Sequence, residues 1–420
     1  MILHVNHLQP GIAARASEAV GTLLALVEEE QVDPRLLAAL RLHLDWIQYR
    51  ANFREPVTVR RTTDGPGQPP ALAEIAVDLR QATADAVRDG LRQALRRIGG
   101  TAEEDARAWL DDFAPLRESI IWRFNRLFWQ RLADWEAATG RGFEQALPSG
   151  RSDANHPDAV SDSVADFWTL LREIDKRGQL PAEIFALEIG VGTGTRAALW
   201  LDHFQALDEE RGTGYYPRMR FLLGDYSMPT LERALAGLAR HRDTVSMLAM
   251  DALNPLKTLS FLRYKILYVH LTNVYDNLPV DEVVRRDGRL HVVETRAYVP
   301  AAAAARIAGD FGARPDALRS TVERLLEVGP DVIGDRARGA AFWCAVWDAL
   351  RLEERLRVVG GIADVPIPPG LHVEHLEGVY ERAAAAGRVD ELGRYVPPPD
   401  RTLTGTSSWI NFFLERDSRP

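Results

Sequence analysis

Apolar positions recur at helical spacing over almost all of the first 180 residues of the chain. The periodicity breaks at "TTDGPGQPP" and at "LPSGRSDANHPDAVSD", residues 147–162, where glycine, proline and small polar residues mark loops. The clearest predicted helix, "SIIWRFNRLFWQRLADWE", carries one stripe of large apolar side chains: Ile121, Phe124, Phe128, Leu132 and Trp135. We therefore predict a helical N-terminal region, residues 1–162. The stripe indicates core packing or, alternatively, one wall of a substrate pocket.

From residue 183 onward the pattern changes to short apolar runs separated by helical stretches. The runs are "EIFALEI", "RMRFLLGD", "VSMLAMDA" and "KILYVHL". Continuous apolar runs of this length are typical of strands covered on both faces, and helices between them favour parallel pairing. The sequence therefore predicts an α/β domain with a mostly parallel sheet.

The C-terminal part of the chain predicts two further features. "PAAAAARIAGDF" and "AFWCAVWDALRLEERL" have helical character, so we predict a helical insertion or lid at about residues 300–358. The apolar and aromatic segment "TSSWINFFLERD" predicts a final strand. The predicted domains are residues 1–162, as acceptor-pocket wall or lid, and residues 163–420 with the insertion.

Composition narrows the class of protein. With 420 residues, 46% hydrophobic and 26% charged, the chain can fill two or three cores and is too apolar for general disorder. A net charge of −9 argues against a nucleic-acid partner, which requires an excess of Lys and Arg. We expect no membrane span, since no apolar run approaches roughly 20 residues. The opening residues resemble no secretory signal and Cys344 is the only cysteine, so we expect the cytoplasm.

The stretch "FALEIGVGTGTRAALW" predicts a strand that runs through three glycines into a helix. Gly190, Gly192 and Gly194 allow a sharp turn and a close approach to a ligand at the N-terminus of that helix. The pattern favours a nucleotide-type loop, but it lacks the third glycine of the dinucleotide fingerprint G-x-G-x-x-G. Such turns also occur for structural reasons alone.

Three carboxylates follow the ends of the predicted strands. Glu188 lies two residues before Gly190, Asp225 ends the second run, and Asp251 follows the third. Open α/β sheets bind ligands at this carboxyl edge. Asp225 suits the two hydroxyls of a ribose, Asp251 an adenine amino group, and Glu188 a cationic amino-acid head. Taken singly, each acid can also be a solvated loop residue or a helix cap.

The segments "LEIGVGTGT", "LLGDYSMPTLERA" and "MDALNPL" resemble motifs I, II and III of the class I S-adenosylmethionine-dependent methyltransferases. The resemblance implies a Rossmann-like fold and the cofactor S-adenosyl-L-methionine. It also implies that the three glycines pass under the methionine part of the cofactor, that Glu188 organises that end, that Asp225 holds the ribose, and that Asp251 holds the adenine.

A narrower resemblance follows the fourth strand. "LTNVYDNLPVDEVVRRDGRLHVVETRAYV" is similar to a segment and its following hairpin in the MidA-type methyltransferases, which modify protein arginine. The glutamate of that family falls on Asn273 here. A neutral amide holds a guanidinium less strongly than a carboxylate does, which weighs against arginine as the acceptor.

The loop "HLTNVYDNLP" supplies the candidate catalytic residues Asp276, Tyr275 and Asn273. Methyl transfer mainly requires an acceptor held in line, and a base is needed only when the acceptor loses a proton. Asp276 is the first choice as base or acceptor orienter, and Tyr275 the next. Asp276 can equally be a turn cap. We expect His270 at the strand end, as a cofactor or packing neighbour.

The predicted function is methyl transfer to a sizeable small molecule or a peptide or protein group. The alternatives are a cofactor-binding protein without turnover and, less favoured, a nicotinamide or flavin oxidoreductase. We further predict that residues 147–162 order over the cofactor. We expect no metal, because "HVEH", with His372, Glu374 and His375, fits no zinc-enzyme spacing.

Overall fold

The computed structural model describes residues 2–5, 13–44, 53, 55–63, 73–79, 82–99, 107–142, 155–272, 274, 277–286, 289–312, 314–359 and 411–415. Contacts divide the chain into two compact units. The first, here called the mixed-sheet unit, comprises Met1–Phe124, Pro279–Leu403 and Phe412–Pro420. The second, here called the parallel-sheet unit, comprises Asn125–Leu278 and Thr404–Asn411.

The elements are numbered in chain order. The described helices are α1 Ala13–Glu29, α2 Pro34–Ala39, α3 Ala84–Ile98, α4 Ile120–Gln130, α5 Leu132–Thr139, α6 Pro157–Lys176, α7 Thr195–Arg211, α8 Met228–Gly237, α9 Pro255–Leu259, α10 Ala301–Phe311, α11 Leu318–Val328 and α12 Arg336–Ala349. The described strands are β1 Ile2–Val5, β2 Leu40–Leu44, β3 Val57–Thr63, β4 Ala73–Val77, β5 Arg107–Trp109, β6 Ala114–Pro115, β7 Ile184–Ile189, β8 Met219–Asp225, β9 Val245–Ala249, β10 Ile266–Leu271, β11 Val280–Arg286, β12 Arg289–Pro300, β13 Arg351–Val359 and β14 Asn411–Glu415.

The parallel-sheet unit confirms the four predicted strands and their parallel pairing. Its described strands lie in the order β10-β7-β8-β9, and all three pairings are parallel. Ile184 and Ala186 of β7 pack with α6, α7 and α8 on one face of the sheet. Leu187 and Ile189 pack on the other face, against Leu259 among others. Because both faces are covered, a continuous apolar run is the expected sequence for these strands.

The mixed-sheet unit contains ten of the described strands. Their order is β1-β2-β4-β3-β13-β12-β11-β14, and β5 and β6 pair with β12 off this path. The pairs β1–β2, β2–β4 and β3–β13 are parallel, whereas β3–β4, β11–β12 and β12–β13 are antiparallel. Leu42, Val59 and Ile75 form one apolar face with α1 and α3, which contribute Leu23 and Leu91.

The prediction of a helical N-terminal region was wrong for much of its length, since β1 to β6 all lie within the first 115 residues. Strands β2, β3 and β4 carry charged side chains that are nevertheless buried, such as Arg41, Arg60 and Glu74. In these strands apolar and charged residues alternate over only a few positions. The helical periodicity of the flanking segments hid this alternation. The division into units also differs from the predicted boundary at residue 162, because α5 and the start of α6 belong with the parallel sheet.

The predicted aromatic helix is two helices, α4 and α5, joined at Arg131, whose φ is −124°. Four residues of its stripe are buried, Ile121, Phe124, Leu132 and Trp135, and Phe128 is half-buried. Most of the stripe therefore packs in the protein interior, and its predicted part in a pocket wall stays a prediction.

The C-terminal predictions have mixed outcomes. Helices α10, α11 and α12 confirm helical structure after residue 300, and β14 confirms the final strand. The segment "RLEERL", predicted as helix, is instead the first part of β13, which lies between β3 and β12 in the mixed sheet. Leu352 and Leu356 are four residues apart, a spacing that also fits a helix, and the pattern therefore did not reveal the strand. In the described part of the chain, none of the helices is both long and apolar enough for a bilayer.

Candidate functional site

The carboxyl edge of the parallel sheet gathers the predicted polar residues. Asp225 is the last residue of β8, Asp251 follows β9, and the glycines follow β7. From β7 the chain continues to β8 on one side, and later returns to β10 on the other side of β7. The strand order therefore reverses between β7 and β10, and such a point is where open α/β sheets bind ligands.

The glycine loop has a backbone that other residues adopt only with strain. The φ angles are 72° at Gly190, 55° at Gly192 and 77° at Gly194. A Cβ atom on Gly190 would lie 2.6 Å from Cγ2 of Val274, and one on Gly194 would lie 2.9 Å from Cα of Ala234. The protein's own packing thus requires glycine at two of these positions, independently of any ligand.

Glu188 is buried in β7 and is held by an arginine. Its Oε2 accepts a hydrogen bond from Nη1 of Arg196 at 3.0 Å, and the residue is 4% exposed. Burial raises the pKa of Glu188, and the Arg196 guanidinium opposes that shift. The predicted role, a carboxylate for a cationic amino-acid head, stays a prediction. In the structure the Arg196 guanidinium already pairs with the Glu188 carboxylate.

Arg196 is the centre of a polar network that the sequence analysis missed. From the first turn of α7 its Nη2 donates to the Tyr268 hydroxyl of β10 at 2.9 Å. The Ser163 hydroxyl of α6 lies 2.7 Å from that of Tyr268 and accepts a hydrogen bond from Nε1 of Trp200 at 3.3 Å. The network ties α6 and α7 to the sheet directly behind the glycine loop. The arginine in "GTGTR" was a usable signal, since a lone cation there needs a buried partner.

Asp225 is the most distinctive group at this edge. It is 9% exposed, and its Oδ1 accepts a hydrogen bond from the Ser227 amide at 2.9 Å. Among the described residues no arginine, lysine or histidine forms an ion pair with it. Burial raises the pKa of Asp225 to about 6, and the amides of Ser227 and Tyr226 oppose that rise. A buried carboxylate without a cation suits a ligand that donates hydroxyl hydrogen bonds.

Asp251 occupies a more open position. It is exposed, and its Oδ1 accepts a hydrogen bond from the Leu253 amide at 2.9 Å. Oδ2 lies 3.4 Å from the Asn254 side-chain amide. These contacts are those of a turn cap, which is the alternative that the sequence left open. They leave acceptor capacity on the carboxylate, because each oxygen can accept more than one hydrogen bond.

His270 lies directly opposite Glu188 in the β7–β10 register. Its Nε2 is 2.6 Å from the hydroxyl oxygen of Thr272. Burial and then the charge of Arg196 lower the pKa of His270 to about 3. The imidazole is therefore neutral near pH 7, where it can accept or donate a hydrogen bond but adds no charge to the edge.

The predicted catalytic residues Asn273, Tyr275 and Asp276 lie outside the described residues, and their roles stay predictions. Their neighbours are placed: Val274 is buried against Gly190, and the Asn277 carbonyl accepts a hydrogen bond from the Asn125 side chain at 2.8 Å. The "HVEH" segment and the first part of the proposed lid, up to residue 154, also lie outside the described residues.

The helix predicted to follow the lid is α6, and it does lie close to the glycine loop, as its Ser163 contacts show. Among the residues that the structure describes, no three His, Cys, Asp or Glu side chains are grouped so that they could hold a metal ion. Comparisons with protein-family models, with curated proteins and with solved structures find no match to this chain.

Proposed function

We propose that the parallel-sheet unit binds S-adenosyl-L-methionine and that the protein is a methyltransferase. The observation that carries the proposal is the buried Asp225, which forms no ion pair with any residue that the structure describes and which ends the strand next to the glycine loop. Desolvating a carboxylate costs free energy unless hydrogen bonds replace its water. A ribose offers two adjacent hydroxyls to accomplish this, and the raised pKa of Asp225 reflects the desolvation that such hydrogen bonds would offset.

The strand order supports a nucleotide ligand. The order β9-β8-β7-β10 corresponds to the first four strands, 3-2-1-4, of a Rossmann-like sheet. In that arrangement the loop after the first strand lies at the switch point, and Asp225 and Asp251 lie on the side of β8 and β9. We assign Asp225 to the ribose and Asp251 to the adenine amino group.

The amino-acid end of the cofactor falls to the glycine loop and to the polar groups behind it. The Arg196–Glu188 pair fixes the start of α7, so the loop amides keep one geometry. His270, neutral near pH 7, contributes hydrogen bonding beside Glu188 without adding a charge. We propose that Gly190, Gly192 and Gly194 bring backbone within contact of this end of the ligand.

The cofactor supplies an activated methyl group, so the protein is required chiefly to position the acceptor and exclude water. We assign positioning to the segment after β10. Asp276 is the proposed base or acceptor orienter, Tyr275 is the second candidate, and Asn273 holds the acceptor by neutral hydrogen bonds. The acceptor class is a sizeable small molecule or a peptide or protein group.

A second candidate function is cofactor binding without turnover. The observation that favours it is Asn273, where the resembling family has a glutamate. Single-turnover assays with candidate acceptors distinguish the two functions, because both predict cofactor binding and only one predicts a methylated product.

The proposed ribose contact is tested by calorimetry with S-adenosylhomocysteine and two alanine variants. Asp225→Ala should weaken binding by about 1.5 to 3 kcal/mol, the usual value for hydrogen bonds to a charged group. The matched control is Glu183→Ala, since Glu183 precedes β7 at the opposite edge of the same sheet and pairs with Arg220 at 3.1 Å. Equal affinities in Asp225→Ala and the control would refute the assignment.

A further inference from the structure

Six arginines collect around one face of the mixed sheet, on elements β3, α3, β5, β12 and β13. This cluster, here called the arginine basin, comprises Arg61, Arg97, Arg107, Arg296, Arg355 and Arg357. Three carboxylates accompany it: Glu55, Glu294 and Glu353. Counted over the described residues, the basin therefore has an excess of three positive charges, within a chain whose net charge is −9.

Two of the carboxylates are each shared by two arginines. Glu353 accepts hydrogen bonds from Nη1 of Arg107 at 3.0 Å and from Nε of Arg296 at 2.6 Å. Glu294 accepts from Nε of Arg355 at 2.7 Å, and also from Nε of Arg357. These four arginines are thereby fixed in place, but their charge is only half neutralised.

Arg61 and Arg97 are the unusual members of the basin. Arg61 lies directly opposite Arg355 in the β3–β13 register, so two like charges face each other across the strands. Both Arg61 and Arg97 are half-buried, and within the described part of the chain neither donates a hydrogen bond or forms an ion pair. Burial lowers the pKa of both side chains, and the nearby Arg107 guanidinium lowers each further. The charge of Glu353 opposes the pKa shift of Arg61, and those of Glu55 and Glu353 oppose that of Arg97.

Aromatic rings hold the guanidinium groups of the basin in defined planes. The Arg296 guanidinium lies 3.4 Å from the Trp109 ring centre, and that of Arg107 lies 4.3 Å from the ring centre of Tyr298. The Arg355 guanidinium lies 4.2 Å from the ring centre of Phe113. Stacking of this kind fixes the plane of a guanidinium and leaves its edge N–H groups able to donate.

A half-buried guanidinium without a partner destabilises a fold, and like charges beside it add to the cost. Such an arrangement is expected where a ligand supplies the missing negative charge. The planar fork of arginine matches the oxygen pairs of a carboxylate or a phosphate. We propose that the arginine basin is a binding site for the phosphate or carboxylate group of a small ligand, with Arg61 and Arg97 as its principal donors.

The proposal is tested with two oxyanion probes, inorganic phosphate and malonate, on the full chain. Binding is measured by calorimetry in a zwitterionic buffer, with the ionic strength held constant by sodium chloride. Saturable binding of either probe is expected. The tighter probe identifies whether the natural ligand presents a phosphate or a carboxylate.

Arg61→Gln and Arg97→Gln should each weaken binding of that probe by about tenfold to a hundredfold, because each removes a charged donor. Arg314→Gln is the control, since Arg314 is 82% exposed and pairs with Asp316 at the surface of the same unit. This variant should bind as the unchanged protein does.

Thermal melting without either probe separates a ligand-binding role from a structural one. Arg61→Gln should melt at the same temperature as the unchanged protein or higher, because it removes an unpaired, half-buried charge. A lower melting temperature would assign Arg61 a structural role and overturn the proposal. The proposal also fails if neither probe binds, or if both arginine variants bind as tightly as the Arg314→Gln control.

Discussion

The two sheets of this protein place their charged residues differently. In the parallel sheet the strands are mainly apolar, and the carboxylates lie near or beyond the strand ends, as Glu188, Asp225 and Asp251 do. In the mixed sheet charged residues lie within the strands. Both arrangements bury charge, but among the described residues it is the parallel sheet that leaves a buried carboxylate, Asp225, without an ion pair at its carboxyl edge, where open α/β sheets bind ligands.

Four charged residues inside the mixed sheet form a continuous row across four strands, and the row ends at a threonine on a fifth strand. The register places Arg41 opposite Glu74, Glu74 opposite Arg60, Arg60 opposite Glu354, and Glu354 opposite Thr295. None of the five is more than 2% exposed. The signs alternate, so each charge has an opposite neighbour, as in the Arg60–Glu354 ion pair. The charges of this row are compensated within the sheet, whereas Asp225 has no ion pair with the described residues, which favours a ligand there.

Removal of one charge from the row should have the largest effect on stability. Glu354→Leu removes the buried Arg60–Glu354 ion pair and leaves the Arg60 guanidinium buried, with Glu74 at 3.9 Å. The free energy of unfolding should fall by about 3 to 5 kcal/mol, as for other broken buried pairs. Urea denaturation measures this. The double variant Arg60→Met/Glu354→Leu should recover part of the loss, and strict additivity of the two changes would contradict the proposed pairing.

The glycine loop of the parallel sheet should be the next most sensitive place. Gly194→Ala combines a φ of 77° with a Cβ atom 2.9 Å from Ala234. We expect a loss of about 2 to 4 kcal/mol in unfolding free energy, from backbone strain and overpacking together. Gly212→Ala is the control, because its φ is 63° but nothing lies within 4 Å of the added atom. Equal losses in the two variants would mean that packing against α8 is unimportant.

Asp225 should give the parallel-sheet unit a distinctive pH dependence. Its pKa is about 6 in the folded protein and near 3.8 unfolded, so between these values the folded state binds more protons. Stability from this group is therefore fully present below about pH 4 and is lost as the pH rises to 6, by about 2 to 3 kcal/mol. Asp225→Asn should be more stable than the unchanged protein at pH 7, and equally stable at pH 4. A variant less stable at pH 7 would contradict the burial of an unpaired charge.

The network behind the glycine loop should contribute the smallest effect. Ser163→Ala removes a hydroxyl that contacts Tyr268, Trp200 and Arg196. The expected loss is about 1 kcal/mol of unfolding free energy. Thr169→Ala on the same helix is the control, since that hydroxyl bonds only back to the Ala165 carbonyl. If Ser163→Ala loses no more unfolding free energy than the control does, the network does not stabilise the region of the glycine loop.

Sequence pattern was informative for the parallel sheet for a physical reason. Strands such as "IFALEI" are buried on both faces, so their composition alone identifies them. In β13, Leu352 and Leu356 share a face with the buried Glu354, and charged residues also occupy the other face. A strand whose charges are neutralised by neighbours distant in sequence has no such signature, and β13 was accordingly predicted as a helix.

The candidate site could likewise be predicted from the sequence only in part. Its edge residues could be predicted because strand ends and glycines are local features of the sequence. Arg196 itself carried a local signal, but its partners Ser163 and Tyr268 could not be predicted, since they come from α6 and β10. The arginine basin could not be predicted from the sequence either, because most of its arginines lie on strands that are adjacent only in the folded sheet.

Equilibrium dialysis with methyl-labelled S-adenosylmethionine tests whether the parallel-sheet unit is a cofactor site. The full chain should bind the labelled cofactor saturably, with a dissociation constant between about 1 μM and 1 mM. S-adenosylhomocysteine should displace the label and NAD should not, since the loop lacks the dinucleotide fingerprint. Absence of saturable binding, or displacement by NAD, would contradict the proposal that Asp225 and the glycine loop form a site for S-adenosylmethionine.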